Sequence, residues 1–400
     1  MTKPVAITLL VLAEILAMAL WFTGSAVVGD MAAQTDLSPV RQAFLASGVQ
    51  FGFALGALIY AILGLADRFD PRRVFAASAL AAAAANTLIL VVPVGSMIAI
   101  ALRCLTGGFL AGVYPVGMKI AAGWGTKDRG FLVGLLVGAL TLGSAVPYFL
   151  AFLGGTNWRV VILGASALAT IGALIITLTR LGPNHGQAVR FEWKTLSLAW
   201  TDRRIRYAYI GYLGHMWELY AFWAWISVAL TLSFTAHMDT DDAQALSKLT
   251  AFCAIGLGTA GCILGGLFAD RFGKAELTII AMGLSGSMAL ITAAFYNAAP
   301  AVMIICVLIW GFSVIADSAQ FSALVADVAP AAATGSLLTF QTALGFALTT
   351  LTVQAAPWLA GLIGWRGLFV VLALGPLVGI LAMAQLRRPA PSLSAGTKTP

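Results

Sequence analysis

Gly266-Leu267-Phe268-Ala269-Asp270-Arg271-Phe272-Gly273-Lys274 joins two long apolar runs, and its centre occurs twice in the chain. Ala66-Asp67-Arg68-Phe69 precedes Ala269-Asp270-Arg271-Phe272 by 203 residues, and Trp158-Arg159 precedes Trp365-Arg366 by 207. Two different motifs recurring in register at half the chain length imply two halves of the same design. Within each half, Asp-Arg follows the second apolar run and Trp-Arg opens the sixth.

The composition says what those runs are. Of 400 residues 60% are hydrophobic and only 10% charged, with a mean hydropathy of +0.94. Soluble domains carry about 25% charged residues, and a membrane-crossing helix needs about 20 apolar ones. A soluble domain, a disordered chain and a disulfide scaffold are therefore excluded. Twelve apolar segments emerge between Gly, Pro and charge punctuation. They run from Val5–Val28, Ala43–Leu65, Val74–Val94, Met97–Ala122, Phe131–Leu153 and Trp158–Leu178 to Tyr207–Phe234, Leu249–Phe268, Leu277–Tyr296, Val302–Val325, Ser336–Leu359 and Leu368–Leu386. The first run is too long for a signal peptide and contains Glu14, so it reads as a retained span. Cys104, Cys253, Cys262 and Cys306 fall in apolar stretches without a CxxC pair, which indicates neither disulfides nor a metal site.

The basic residues orient the chain. With the N-terminus inside, seventeen Lys and Arg fall in cytoplasmic loops and tails and four fall outside: Arg41, Arg159, Lys248 and Arg366. Both termini are expected in the cytoplasm. The expected organisation is a six-helix bundle over 1–180, a basic linker over 181–205, a second bundle over 206–388 and a tail over 389–400. Phe191, Trp193, Leu196, Leu198 and Trp200, beside Arg190 and Lys194, suit a helix lying on the membrane surface.

With these motifs the sequence resembles the major facilitator superfamily, whose best-known motif between spans 2 and 3 reads G-x-x-x-D-R-x-G-R/K. Gly266 to Lys274 fits it. The first copy departs, with Gly64 one place late and Asp70-Pro71 in place of the second Gly. The resemblance implies an all-α polytopic membrane protein of twelve transmembrane helices in two six-helix bundles, with a substrate site between them and helices 1, 4, 7 and 10 lining the cavity. It also implies gating roles for Asp67, Arg68, Asp270 and Arg271. The physics agrees, because a carboxylate at a helix end can accept from a neighbouring helix N-terminus or pair with an Arg.

Six ionisable residues fall inside spans: Glu14, Arg103, Lys119, His215, Glu218 and Asp317. Each costs about 2.5–3.5 kcal/mol on insertion scales unless a partner or a cavity meets it. All lie on spans 1, 4, 7 and 10. At 100° per residue, Glu14, Met18 and Trp21 share a face, Arg103 and Tyr114 share another, His215 and Glu218 stand at i, i+3, and Trp310, Ser313, Asp317 and Gln320 form a stripe. Lys119, near the cytoplasmic end of its span, reads as a snorkelling interface lysine. The expected substrate and proton site is Glu14, Arg103, Tyr114, His215, Glu218, Trp310, Asp317 and Gln320, with Glu14 and Asp317 loading protons and Arg103 as their partner. The family's R-x-x-x-G pattern in span 4 matches Arg103 and Gly107. Span 5 carries Gly134, Gly138, Gly143 and Pro147, permitting close helix approach and a bend.

The competing class is an intramembrane enzyme. Gly283-Leu284-Ser285-Gly286 resembles a rhomboid-type G-x-S-G, but no His follows position 237 to serve as its base. One embedded Asp cannot make an aspartyl dyad, and HExxH is absent. The expectation is a proton-coupled secondary transporter of a small organic solute in a bacterial inner membrane. A cationic or neutral solute is favoured, and an anion held by Arg103 is the alternative. No cofactor, metal or nucleic acid is expected, and the chain is expected to act as a monomer in the bilayer.

Overall fold

The computed structural model describes residues 1–125, 128–184 and 191–387, with Arg129 described by its backbone alone. Lys127, Arg190 and the tail over 389–400 lie outside the described residues.

Among the described residues, ten segments are long and apolar enough to cross a membrane. In chain order the helices are α1 (Lys3–Gln34), α2 (Pro39–Leu63), α3 (Pro71–Val91), α4 (Met97–Trp124), α5 (Gly130–Gly154), α6 (Trp158–Leu178), α7 (Arg203–Phe234), α8 (Thr240–Phe272), α9 (Lys274–Ala294) and α10 (Pro300–Val328). The last apolar segment, Ala331–Arg387, turns at Gly364, whose φ of 71° is left-handed. It therefore holds two spans, α11 (residues 331–363) and α12 (residues 365–387). With the more polar α7 the number of spans reaches twelve.

Local chemistry sets many of the helix starts. Pro stands in the first turn of α1, α2, α3 and α10, where its missing N–H costs nothing. Ser38, Asp70, Ser96, Asn157, Asp202 and Asp239 cap α2, α3, α4, α6, α7 and α8 through side-chain oxygens that accept from backbone N–H groups. Large apolar side chains such as Leu174, Leu351 and Leu381 are exposed on the periphery, where lipid rather than water is the natural neighbour. Trp21, Trp223, Trp310 and Arg103 are fully buried.

Three spans are interrupted for about one turn, α1 over 19–22, α4 over 111–113 and α10 over 315–317, and α12 is interrupted at the single residue Ala373. α7 runs unbroken and is buried along most of its length. These breaks shift the phase of the side chains beyond them, a point that matters for the site.

One end of the bundle gathers both described chain ends and the Asp-Arg loops. Lys3 pairs with Asp128 between α4 and α5 at 2.6 Å, and Arg387 with Glu276 at the start of α9 at 2.9 Å. We call this the terminal face and the opposite end the far face. The segment leading into α7 forms two consecutive short helical turns, Trp193–Ser197 and Leu198–Thr201. Ala199 is buried against α7, α10 and α11, while Trp193 and Trp200 remain exposed.

Candidate functional site

The far face is shut by contacts between the halves. Lys248, at the start of α8, places its ammonium 2.8 and 3.0 Å from the two carboxylate oxygens of Asp30 on α1, and 2.8 Å from the Gly155 carbonyl after α5. Its three donors therefore meet three acceptors, and both side chains are buried. Below this bridge Phe22 stacks on Tyr220 at 5.9 Å, Phe53 packs on Phe346 at 4.5 Å, and the Tyr148 hydroxyl donates to the Trp223 carbonyl. Gln354 donates to Ser47 at 2.7 Å. Sequence reading counted Lys248 among the outside loop charges and passed over Asp30. The signal was a lone carboxylate two residues past the expected end of span 1.

Toward the terminal face the halves part. A cavity of about 460 Å³ lies between α2 and α4 on one side and α10 and α11 on the other, lined by Tyr60, Tyr114, Lys119, Ser322, Thr339 and Thr342 among others. Asp67 and Phe191 stand at its mouth. A smaller chamber of about 80 Å³ continues from it, sharing Tyr114, Met118, Ser322 and Thr342, and reaches Tyr212, Met216 and Tyr220 on α7 and Phe346 on α11.

Most of the expected charged residues are placed behind this wall, each inside its own half. Arg103 points into the break of α1: it donates to Thr23 Oγ1 at 2.6 Å, Asn86 Oδ1 at 2.9 Å, the Trp21 carbonyl at 3.0 Å and the Leu20 carbonyl at 3.4 Å. These carbonyls are the ones the break releases, and they form the negative end of the first α1 segment. Arg103 is thus partnered by neither Glu14 nor Asp317, which corrects the expected pairing. The unbroken-helix geometry placed Arg103 and Tyr114 on one face. Because α4 breaks at 111–113, Tyr114 reaches the cavity and Arg103 does not.

Glu14 is fully buried against α4, where Gly117 leaves room for its carboxyl group. Neither oxygen has a hydrogen-bond partner among the described residues. An ionised carboxylate costs most where no donor meets it. Glu218 stands in the opposite condition: Trp310 Nε1 and Ser285 Oγ each donate to it at 2.8 Å. Ser285 is therefore a hydrogen-bond donor to a buried carboxyl group. Trp310 also stacks on Phe222 at 4.3 Å, within the second half.

His215 Nδ1 lies 2.9 Å from Asp317 Oδ1, joining α7 to the break in α10. The contact is close without being a well-aligned hydrogen bond, and His215 Nε2 has no hydrogen-bond partner among the described residues. Both are buried directly behind the chamber wall, one residue from Met216 and one from Ser318. Gln320 is buried one turn further along α10. Of the eight expected site residues, only Tyr114 lines the cavity. Lys119, read as an interface lysine, lines it too, and donates to the Ala66 carbonyl at 2.7 Å and to Asp67.

The two Asp-Arg copies are used differently. Asp67 binds Lys119 within its own half. Asp270 reaches the other half, its carboxylate lying over Gly130 in the first turn of α5. Gly138 and Gly143 allow α5 to approach α8 and α1 closely, and Thr259 on α8 donates to the Gly138 carbonyl at 3.1 Å. Arg68 and Arg271 are at the terminal face, Arg271 over the ring of Phe272.

Residues 9–352 match the family model described as Major Facilitator Superfamily. The chain belongs to the major facilitator superfamily. No curated protein sequence matches it. The partially occluded, inward-open xylose transporter XylE of E. coli is similar in structure, with a TM-score of 0.71 at 15% identity over 96% of this chain and 97% of that one. A D-xylose-proton symporter gives 0.69 at 16% identity, covering 96% and 97%. XylE bound to 6-bromo-6-deoxy-D-glucose gives 0.67 at 16%, covering 96% of both. The chain is a membrane transporter of this superfamily, with its cavity between the two bundles.

Proposed function

We propose that this superfamily member is a proton-coupled secondary transporter of a small neutral or cationic organic solute. It works by alternating access in a bacterial inner membrane, with the terminal face in the cytoplasm. One observation carries the reading: the cavity between the halves is closed at the far face, and the buried His215–Asp317 contact lies directly behind its wall. Protonating Asp317 removes its pull on His215, so one proton changes the attraction between α7 and α10, both of which form the chamber wall. Glu14, buried without a donor behind Tyr114, is the second proton site. The coupling of solute to proton in the D-xylose-proton symporter of similar fold supports this reading.

The alternative, an anion held by Arg103, is disfavoured because that guanidinium donates to four acceptors inside the first half and does not line the cavity.

The test is tracer flux into proteoliposomes under an imposed pH gradient, with a panel of organic cations, neutral solutes and small carboxylates. Flux of a neutral or cationic solute driven by the gradient, and abolished in both Asp317→Asn and Glu14→Gln while folding is retained, is the expected result. Undiminished gradient-driven flux in both variants overturns the assignment of the proton sites.

A further inference from the structure

The chamber itself carries more information than the charges around it. Three tyrosines from both halves meet there: Tyr114 from α4, and Tyr212 and Tyr220 from α7. Their hydroxyls lie within electrostatic reach of one another. None forms a hydrogen bond with another described residue. Four of the other five tyrosines differ: Tyr60, Tyr148, Tyr209 and Tyr296 each place the hydroxyl on a protein partner. A phenol hydroxyl keeps its donor and acceptor capacity until something meets it, so three left open to one chamber are available to a bound molecule. Gly345 on α11 contributes to the arrangement, because a Cβ there would strike the Tyr212 ring.

The rest of the chamber wall is apolar or weakly polar. Met118, Met216 and Phe346 provide soft surface, and Ser318, Ser322 and Thr342 provide the remaining hydroxyls. Its lining includes no carboxylate, ammonium, guanidinium or amide side chain. The nearby charges are turned away: Glu14 against Gly117, Asp317 against His215, Arg103 into α1, and Lys119 onto Asp67 at the mouth.

We infer that the transported solute is an uncharged, largely apolar organic molecule with few hydrogen-bonding groups, held by the hydroxyls of Tyr114, Tyr212 and Tyr220. This rests on the transport reading and narrows it. Inside the chamber a cation would find no carboxylate and an anion no cation, and the charges of the adjoining cavity, Lys119 and Asp67, are paired with each other. A polyol would bury many hydroxyls against sulfur and hydrocarbon with few partners to meet them, since Ser322 and Thr342 already donate to Gln341 and to the Leu338 carbonyl. The chamber, about 80 Å³, holds only one end of such a molecule, and the rest extends into the adjoining cavity of about 460 Å³, which is within the usual range for small-molecule sites, about 300–1,000 Å³.

The test uses the full-length protein in lipid nanodiscs and three probes that share one planar body: benzamide, benzoate and benzamidine in its cationic form. D-Xylose is the fourth. Binding is read by tryptophan fluorescence and by the shift in thermal midpoint. Benzamide is expected to bind more tightly than the other three. Tyr212→Phe and Tyr220→Phe should each weaken its binding by about three- to tenfold, as expected for one lost hydrogen bond. The ligand-free midpoint should stay unchanged, because these hydroxyls hold no protein partner. Tighter binding of either charged probe or of D-xylose overturns the inference, as does benzamide binding that ignores both substitutions. Failure of all four to bind overturns it equally, since the cavity is large enough to admit each of them. Gradient-driven flux of a charged solute would sink the solute class and leave the transport reading standing. Benzamide binding with no gradient-driven flux of any solute would do the reverse.

Discussion

Two ion pairs mark the two faces of this transporter. Asp30–Lys248 at the far face joins the first half to the second, is buried, and uses every ammonium donor. Asp67–Lys119 at the terminal face lies within one half, at the edge of the cavity, and is partly exposed. The first bridge keeps the halves together, and the second leaves them free to part. The difference teaches that a charge pair closes a face only when it spans the halves, and closes it strongly only when water is kept out.

Four measurements would break or sharpen that contrast. The largest effect belongs to Lys248→Met, which leaves the Asp30 carboxylate buried without its cation. Such a loss costs about 3–5 kcal/mol, enough to favour opening of the far face. Spin labels at Thr35 and Ala236, both exposed there, should report a longer distance by pulsed electron resonance, and Asp30→Asn in the same chain should restore much of the short one. An unchanged distance in Lys248→Met would remove the bridge from the closing machinery.

Tyr148→Phe comes next. It deletes one hydroxyl that donates to the Trp223 carbonyl across the halves, worth about 1 kcal/mol. The same label pair should show a minor long-distance population, with the short one still dominant.

Lys119→Met should do less, about 0–1 kcal/mol, because the pair it breaks is partly exposed and spans nothing. Labels at Phe69 and Ala326 on the terminal face are the readout, and a large change there would contradict the contrast drawn above.

The smallest effect concerns Asp70, which caps α3 and faces the Arg72 guanidinium. Arg72 beside it holds its carboxyl below the usual range. The folded value is thus lower than the unfolded one, so the contribution is complete above the unfolded value. It fades as pH falls from about 4 through the folded value. Asp70→Asn should flatten the stability profile slightly in that window when thermal midpoints are compared.

Much of the architecture was legible because hydropathy and internal repetition are properties of the chain itself. Twelve spans, two halves and the Asp-Arg loops follow from where the apolar runs stop. The site was only partly legible. That Glu14, Arg103, His215, Glu218 and Asp317 would be buried follows from their positions in apolar runs. Which way each points does not, because the face arithmetic assumes straight helices. The breaks in α1, α4 and α10 separate Arg103 from Tyr114 and turn the stripe from Trp310 to Gln320. The partners lie on other helices as well: Ser285 for Glu218 is 67 residues away, and Asp30 for Lys248 is 218. Lys119 was misread for a related reason, since a lysine near a span end reaches the interface as readily as it reaches a loop carbonyl.

The break in α1 has a mechanical consequence. An interrupted rod normally bends at its gap, yet Arg103 bolts this gap to α3 and α4 through both sides of the joint. The first half therefore pivots as a stiff lever. On the function proposed above, flexure during the cycle is left to the gaps in α4 and α10, next to Tyr114 on one side and Asp317 on the other, where solute and proton would act.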